Sequence, residues 1–229
     1  MYCSGSLYPP LVRRALTFCD SPHERDVFYK EHDERAYSTT SFFLAYTINE
    51  VPFEVVSSLL FALLADLAVG LQRTPQLFFA IAANVFCITN CGESIGIIFN
   101  TLFQHTGFSV NVTNSVLSIG VIMSGIMSTN MPAVLDGINF ISPTKYALQN
   151  LAPYSLAGVN FTCEDWQRLP SGRCLIETGH DVLKLYRMDG NVPWKSLVVL
   201  VAATLIYRLV AYVTLLLKMG RWGAGVGNG

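Results

Sequence analysis

Four long apolar stretches, at 39–71, 77–103, 108–129 and 194–217, dictate what this chain can fold into. Each matches or exceeds the roughly 20 helical residues that cross a bilayer core. Inside hydrocarbon every backbone N–H and C=O must be satisfied within the protein, which leaves only helices and closed barrels. The stretches do not resemble a series of short barrel strands. The expected fold class is therefore all-α, a polytopic transmembrane helical bundle of about four complete spans plus a partial one near the amino terminus. Pro52 in the first stretch and Gly92 and Gly96 in the second are breakers that membrane helices tolerate, because neighbouring helices re-satisfy the freed backbone groups. Composition agrees: 52% hydrophobic and 14% charged residues, with a mean hydropathy of +0.41, make lipid the solvent of most of the chain. A net charge of −1 lacks the basic surface that phosphate neutralisation needs, so no nucleic acid partner is expected.

The remaining segments divide the chain further. Residues 1–22 carry Tyr8-Pro9-Pro10 and Arg13-Arg14 inside an apolar stretch too short to span, and read as the remnant of a helix. Met1 is not followed by a basic region and a continuous apolar core, so no secretory signal is expected. Residues 23–38 form a charged, amphipathic segment, 39–130 hold three spans, 131–193 form a long polar segment, and 194–229 hold the last span and a tail. Arg13, Arg14, Arg25, Lys30 and Arg35 precede the first span, whereas only Arg73 follows it, which puts the amino-terminal side in the cytosol. Four crossings return Lys218 and Arg221 to the cytosol and leave 131–193 outside. Two features of that segment fit an oxidising exterior: the glycosylation sequon at Asn160-Phe161-Thr162, and Cys163 and Cys174, close enough to close a disulfide loop. The alternative is a chance sequon beside two thiols. A second sequon, at Asn111, falls at the cytosolic start of a span and should be unused. Cys87 and Cys91 have helical i,i+4 spacing that a metal could use, but no His or third Cys lies near them. They are expected as small packing residues, with no metal site.

Polar residues inside the spans carry the functional information, since each is costly in hydrocarbon and tends to face a bundle interior or a wet cavity. Glu50 and Glu54 flank Pro52 and are expected near the cytosolic interface, with Asp66 about 18 Å further along the helix. Asn90, Glu93 and Asn100 share one face of the second span. In the third, Asn111, Asn114, Ser118, Val121, Gly125 and Ser128 repeat the same rhythm. Two such stripes on consecutive helices imply a shared interior surface or a lined pathway; helix packing through small and polar residues is the alternative. Arg208, inside the last span, either snorkels or pairs with Glu93 or Glu54. No His, Cys or carboxylate cluster has catalytic spacing, and His23, His32, His105 and His180 are expected as solvated residues.

A series of short motifs then carries a family resemblance. Glu24-Arg25-x-Val27-Phe28-Tyr29-x-Glu31, Tyr37-Ser38, Asn49-Glu50-Val51-Pro52 and Val69-Gly70-Leu71 lead into Ser124-Gly125-Ile126-Met127 and Ile141-Ser142-Pro143-Thr144-Lys145-Tyr146-Ala147. Gly179-His180-Asp181-Val182-Leu183, Trp194 and Tyr207-Arg208-Leu209 follow in order. Together they resemble the carboxyl-terminal part of the ABC-2 type transmembrane domain in the ABC transporter G subfamily, the White or pigment type, with fungal half-size members closest. The resemblance implies that the four spans are the family's third to sixth helices. Segment 23–35 would include the cytosolic connecting helix, touching a nucleotide-binding domain through Glu24, Arg25, Phe28 and Glu31. It also implies Asn114, Ser118 and Val121 as cavity residues, Ile126 and Met127 as an apolar plug, and 131–193 as the last extracellular loop with a short re-entrant part near Pro143 to Pro153.

The implied activity is export of a lipophilic substrate (a lipid, sterol or drug) by alternating access in a homo- or heterodimer with another half-transporter. The chain lacks the G-x-x-x-x-G-K-[ST] phosphate loop, the family's signature sequence and a Walker B strand. It is therefore not expected to be an enzyme by itself or to hold a cofactor, and MgATP would be bound by a nucleotide-binding domain outside it. The alternative is a truncated, non-transporting membrane partner that dimerises with full-length relatives. The resemblance favours the plasma membrane as location, with the endoplasmic reticulum or another internal membrane as the alternative.

Overall fold

The computed structural model describes residues 38–69, 74–103, 105–124, 132–156, 158–162, 174, 176–186, 188 and 192–226. These residues form seven helices: α1 (Thr39–Val69), α2 (Pro75–Leu102), α3 (Thr106–Met123), α4 (Ala133–Asn139), α5 (Pro143–Leu156), α6 (Gly179–Leu185) and α7 (Pro193–Val226). The β structure among them is one isolated antiparallel bridge, Asn160 with Thr178. The all-α helical bundle is thus as expected. Three helices are long and apolar enough to cross a membrane, over Thr39–Ala68, Pro75–Leu102 and Pro193–Met219. The remaining expected span is represented by α3, 18 residues and about 27 Å long. It ends in a turn at Ser124, and residues 125–131, into which that span was expected to continue, lie outside the described part.

α2 is the hub, packing against α1, α3, α5 and α7. Its sequence explains why: Ala80, Ala82, Cys87, Cys91, Gly92 and Ser94 are small and buried, and small residues let helix backbones approach where lipid supplies no hydrophobic drive between helices. Half of its most apolar window is buried, against 17% for α1 and 11% for α7. Those two helices instead turn Leu44, Ile48, Leu64, Leu205 and Leu209 outward, the surface that a lipid solvent requires. Inside, Ala62 of α1 meets Leu77, Ile81 and Ala82 of α2. Further along, Cys87 of α2, Ala147 of α5 and Leu200 of α7 form a second cluster. Both thiols of α2 are unbridged and buried, as packing residues should be.

The helix ends are held by side chains. Thr74 caps α2 by accepting the Leu77 N–H at 3.4 Å, with Pro75 at the first helical position, where its missing donor costs nothing. At the other end the Lys218 ammonium, on α7, donates to the Thr101 carbonyl, a cation on the last turn of a helix. Thr178 and Asp181 form a reciprocal capping box at the start of α6.

The 141–147 motif docks α5 onto the bundle. Thr144 Oγ1 donates to the Gly120 carbonyl at 2.8 Å, and Tyr207 Oη donates to the Ile141 carbonyl at 2.9 Å. Gly120 permits the approach, since a Cβ there would stand 3.2 Å from Ser142 Oγ. Deeper in, Asn84 Nδ2 donates to Asn150 Oδ1 at 2.6 Å, while Asn150 Nδ2 donates to the Pro193 carbonyl at 2.7 Å. One buried amide therefore ties α2, α5 and the start of α7 together.

Candidate functional site

α1 and α2 bring three acidic side chains together in the middle of the bundle. Glu50 and Glu54 are one helical turn apart and share a face of α1. Asn90 and Glu93 share a face of α2, and Arg208 projects from α7. One carboxylate oxygen from each of Glu50, Glu54 and Glu93 lies within 4.8 Å of the others. Asn90 Nδ2 donates to Glu54 Oε2 and to the Phe86 carbonyl at 3.1 Å. Arg208 Nη1 reaches Glu93 Oε2 at 3.3 Å, with its guanidinium 5.8 Å from the centre of the Phe43 ring. Glu93 is therefore the partner of Arg208, a choice the sequence left open.

The placement differs from the interfacial one expected for Glu50 and Glu54. Glu54 is buried and stands midway along α1, 15 residues from either end. The reason is local: Asn90 offers a donor at that level of α2, so a carboxylate that would otherwise need water can enter the bundle. Asp66, about 18 Å further on, is half-buried and outside the cluster.

Charge dominates this site. Two unit charges 4.8 Å apart repel by about 3.5 kcal/mol at an effective dielectric constant of roughly 20. Among the described residues, three carboxylates face one guanidinium. Glu54 Oε1 and the Arg208 Nε and Nη2 atoms are buried without a hydrogen-bond partner among the described residues, although most buried polar groups are paired.

The second polar feature is α3. Asn111, Asn114, Ser118 and Val121 all lie on its exposed side, while Ser109 and Thr113 are buried on the other. The two polar stripes expected to share a surface consequently divide. Asn90 and Glu93 of α2 are engaged with α1 and α7, whereas the α3 stripe is uncovered in this chain. Glu24, Arg25, Phe28 and Glu31 of the expected coupling segment, and Ile126 and Met127 of the expected plug, lie outside the described residues.

In the segment between α5 and α6 Asn160 is exposed, and the backbone around it is paired: Phe161 N–H donates to the Glu177 carbonyl and Gly179 N–H to the Val159 carbonyl, both at 2.9 Å. Gly179 is required there, because a Cβ would lie 2.0 Å from the Leu156 carbonyl oxygen. Cys174 is half-buried, and Cys163, expected as its disulfide partner, lies outside the described residues. An apolar cavity of about 180 Å³ separates α5 from α6, lined by Leu148, Ala152, Leu156, Val182 and Leu183 among others.

The Asn84–Asn150 pair was missed from sequence. Its signal was present, since Asn84 is a polar residue inside an apolar span, but it falls outside the Asn90 stripe, and its partner is 66 residues away.

Residues 18–153 match the family model described as ABC-2 type transporter. Among curated proteins, the chain is 41% identical over 199 residues to an uncharacterized ABC transporter ATP-binding protein/permease of Saccharomyces cerevisiae, a match covering 86% of this chain and 15% of that protein. It is 24% identical to ABC transporter G family member 5 of Arabidopsis thaliana, over 84% of this chain and 29% of that one. It is also 26% identical to protein white of Drosophila melanogaster, over 86% and 29% respectively. The chain thus spans less than a third of the length of these relatives.

Proposed function

Because the chain belongs to the ABC-2 type transporter family, we propose that it forms the membrane-spanning part of an ATP-driven exporter of lipophilic substrates such as a lipid, a sterol or a drug. The observation that carries this reading is the α3 stripe. Asn111, Asn114 and Ser118 are exposed on a helix of an otherwise lipid-facing bundle, and polar side chains inside a membrane face a wet cavity or a partner far more often than acyl chains. A second half-transporter placed against that face encloses a cavity whose wall mixes small polar groups with Val121.

In this reading a nucleotide-binding domain docks on segment 23–35 through Glu24, Arg25, Phe28 and Glu31, and that domain binds MgATP. Ile126 and Met127 form the plug beyond the cavity, and the outer segment carries a glycan at Asn160 and a Cys163–Cys174 staple. The plasma membrane is the location that suits export.

Ser118→Trp, made in the chain assembled with its nucleotide-binding partner and reconstituted in proteoliposomes, tests the cavity. Efflux of a fluorescent lipid or sterol should fall at least roughly tenfold, the effect of about 1.4 kcal/mol, while insertion and dimer assembly are retained. Unchanged efflux in Ser118→Trp and Asn114→Trp would remove α3 from the pathway. Assembly with full-length relatives that yields no efflux for any combination favours the non-transporting partner instead.

A further inference from the structure

The acidic cluster of α1 and α2 contains more negative charge than the described residues around it neutralise. Glu50, Glu54 and Glu93 converge within 4.8 Å, and the cation that reaches them, Arg208, contacts Glu93. Carboxylates held this close repel one another when ionised, and a proton shared between two of them removes that repulsion.

A second observation concerns Glu54 alone. The residue is 7% exposed and receives the Asn90 amide on Oε2, yet its buried Oε1 meets no donor among the described residues. An orphan acceptor on the most hidden member of the cluster points to a ligand that brings its own hydrogen. A metal ion fits less well. The Arg208 guanidinium already occupies one side of the cluster and repels a second cation. Asn90 presents its NH₂ to Glu54 rather than the carbonyl that a metal would take.

We propose that Glu50, Glu54 and Glu93 form an intramembrane proton-binding site, with Asn90 and Arg208 fixing the oxygens that the proton does not occupy. The step is balanced as it stands. A hydronium ion from the bath gives up its proton, leaving water, as an O–H bond forms to one carboxyl oxygen; the proton is shared with a neighbouring carboxyl, and one of the two uncompensated negative charges disappears. The described groups that face the site are Tyr46 of α1, one helical turn before Glu50, and Asn90 of α2. α7 contributes Arg208, while the neighbouring Tyr207 donates to the Ile141 carbonyl instead. The site does not depend on the transport reading, because its geometry lies within one chain.

Infrared difference spectroscopy of the full chain in lipid nanodiscs tests it directly. A protonated carboxyl has a C=O stretch separate from the carboxylate bands, and the stretch shifts in D₂O. Such a band should respond to bath pH, should be lost or weakened in Glu93→Gln and Glu54→Gln, and should persist in Asp66→Asn, which removes the carboxyl outside the cluster. If Glu93→Gln does not insert, Glu50→Gln and the wild-type titration decide the matter. A wild type without the band, a band that survives in all the cluster variants, or one abolished by added calcium or manganese overturns the proposal, the last in favour of a metal site.

Discussion

Arg208 and Glu93 show how much a single pairing governs at the residue scale. Their side chains are only 12% and 17% exposed, and the contact at 3.3 Å is the guanidinium's described ion pair. Removing one partner of a buried pair strands the other, at a cost of about 3–5 kcal/mol, while replacing both by apolar groups is often close to neutral. Arg208→Leu should therefore destabilise the chain strongly in a detergent unfolding titration. Arg208→Leu with Glu93→Leu should recover a large part of that loss. A double variant no better than the sum of the two singles would show that the pair contributes little. The pairing was not legible in the sequence, although every participant was. Glu54 and Glu93 are both carboxylates inside apolar spans, and the packing of α7 against α2 brings Glu93 within reach of Arg208.

At the scale of elements, the long helices were legible because length and apolarity are properties of the chain read in one dimension. The stretches 39–71, 77–103 and 194–217 correspond to α1, α2 and α7. α2 begins two residues earlier than expected because Pro75 is well suited to a first helical position, and α7 runs on to Val226 because Lys218 and Arg221 do not stop a helix. The seven-residue helices α4 and α6 escaped notice, though the Thr178 to Asp181 capping box is a start signal that the sequence displays. α5 depends on contacts that no periodicity reveals. Asn150 is 1% exposed and is the amide through which α5 meets both Asn84 and Pro193. Asn150→Leu should leave those groups unpaired at about 1–3 kcal/mol, and hydrogen exchange across 143–156 should accelerate relative to α2. Exchange rates that do not change would mean that Thr144 and Tyr207 alone hold the helix.

For the whole molecule, the division of labour between a buried hub and outward-facing helices makes a statement about solvent. Leu64 and Leu205 are 64% and 67% exposed, whereas Leu200, on the same helix as Leu205, is fully buried. A benzophenone amino acid placed at Leu64 or Leu205 should cross-link to lipid acyl chains in a membrane preparation, and one placed at Leu200 should cross-link within the protein. Protein adducts from all three positions would mean that a partner chain, rather than lipid, covers the outer faces of α1 and α7. The polar stripe of α3 was foreseeable from residue spacing, whereas its separation from the stripe of α2 was not. Use of the α2 polar residues inside the chain was one of two readings that spacing left open, and the choice between them depends on three helices meeting at one level.

The hub position of α2 also bears on how the chain is made. Its partner Arg208 belongs to a helix that begins 91 residues after α2 ends, a delay of about 5–20 s at ordinary rates of synthesis, roughly 5–20 residues per second. During that interval Glu93 has entered the insertion machinery without Arg208, while α1, which carries the other two carboxylates, is already in place. Neutralisation of Glu93 is therefore a late event, completed only once α7 has left the ribosome, and a ribosome stalled before that point would leave an acidic helix in the membrane without its counter-charge.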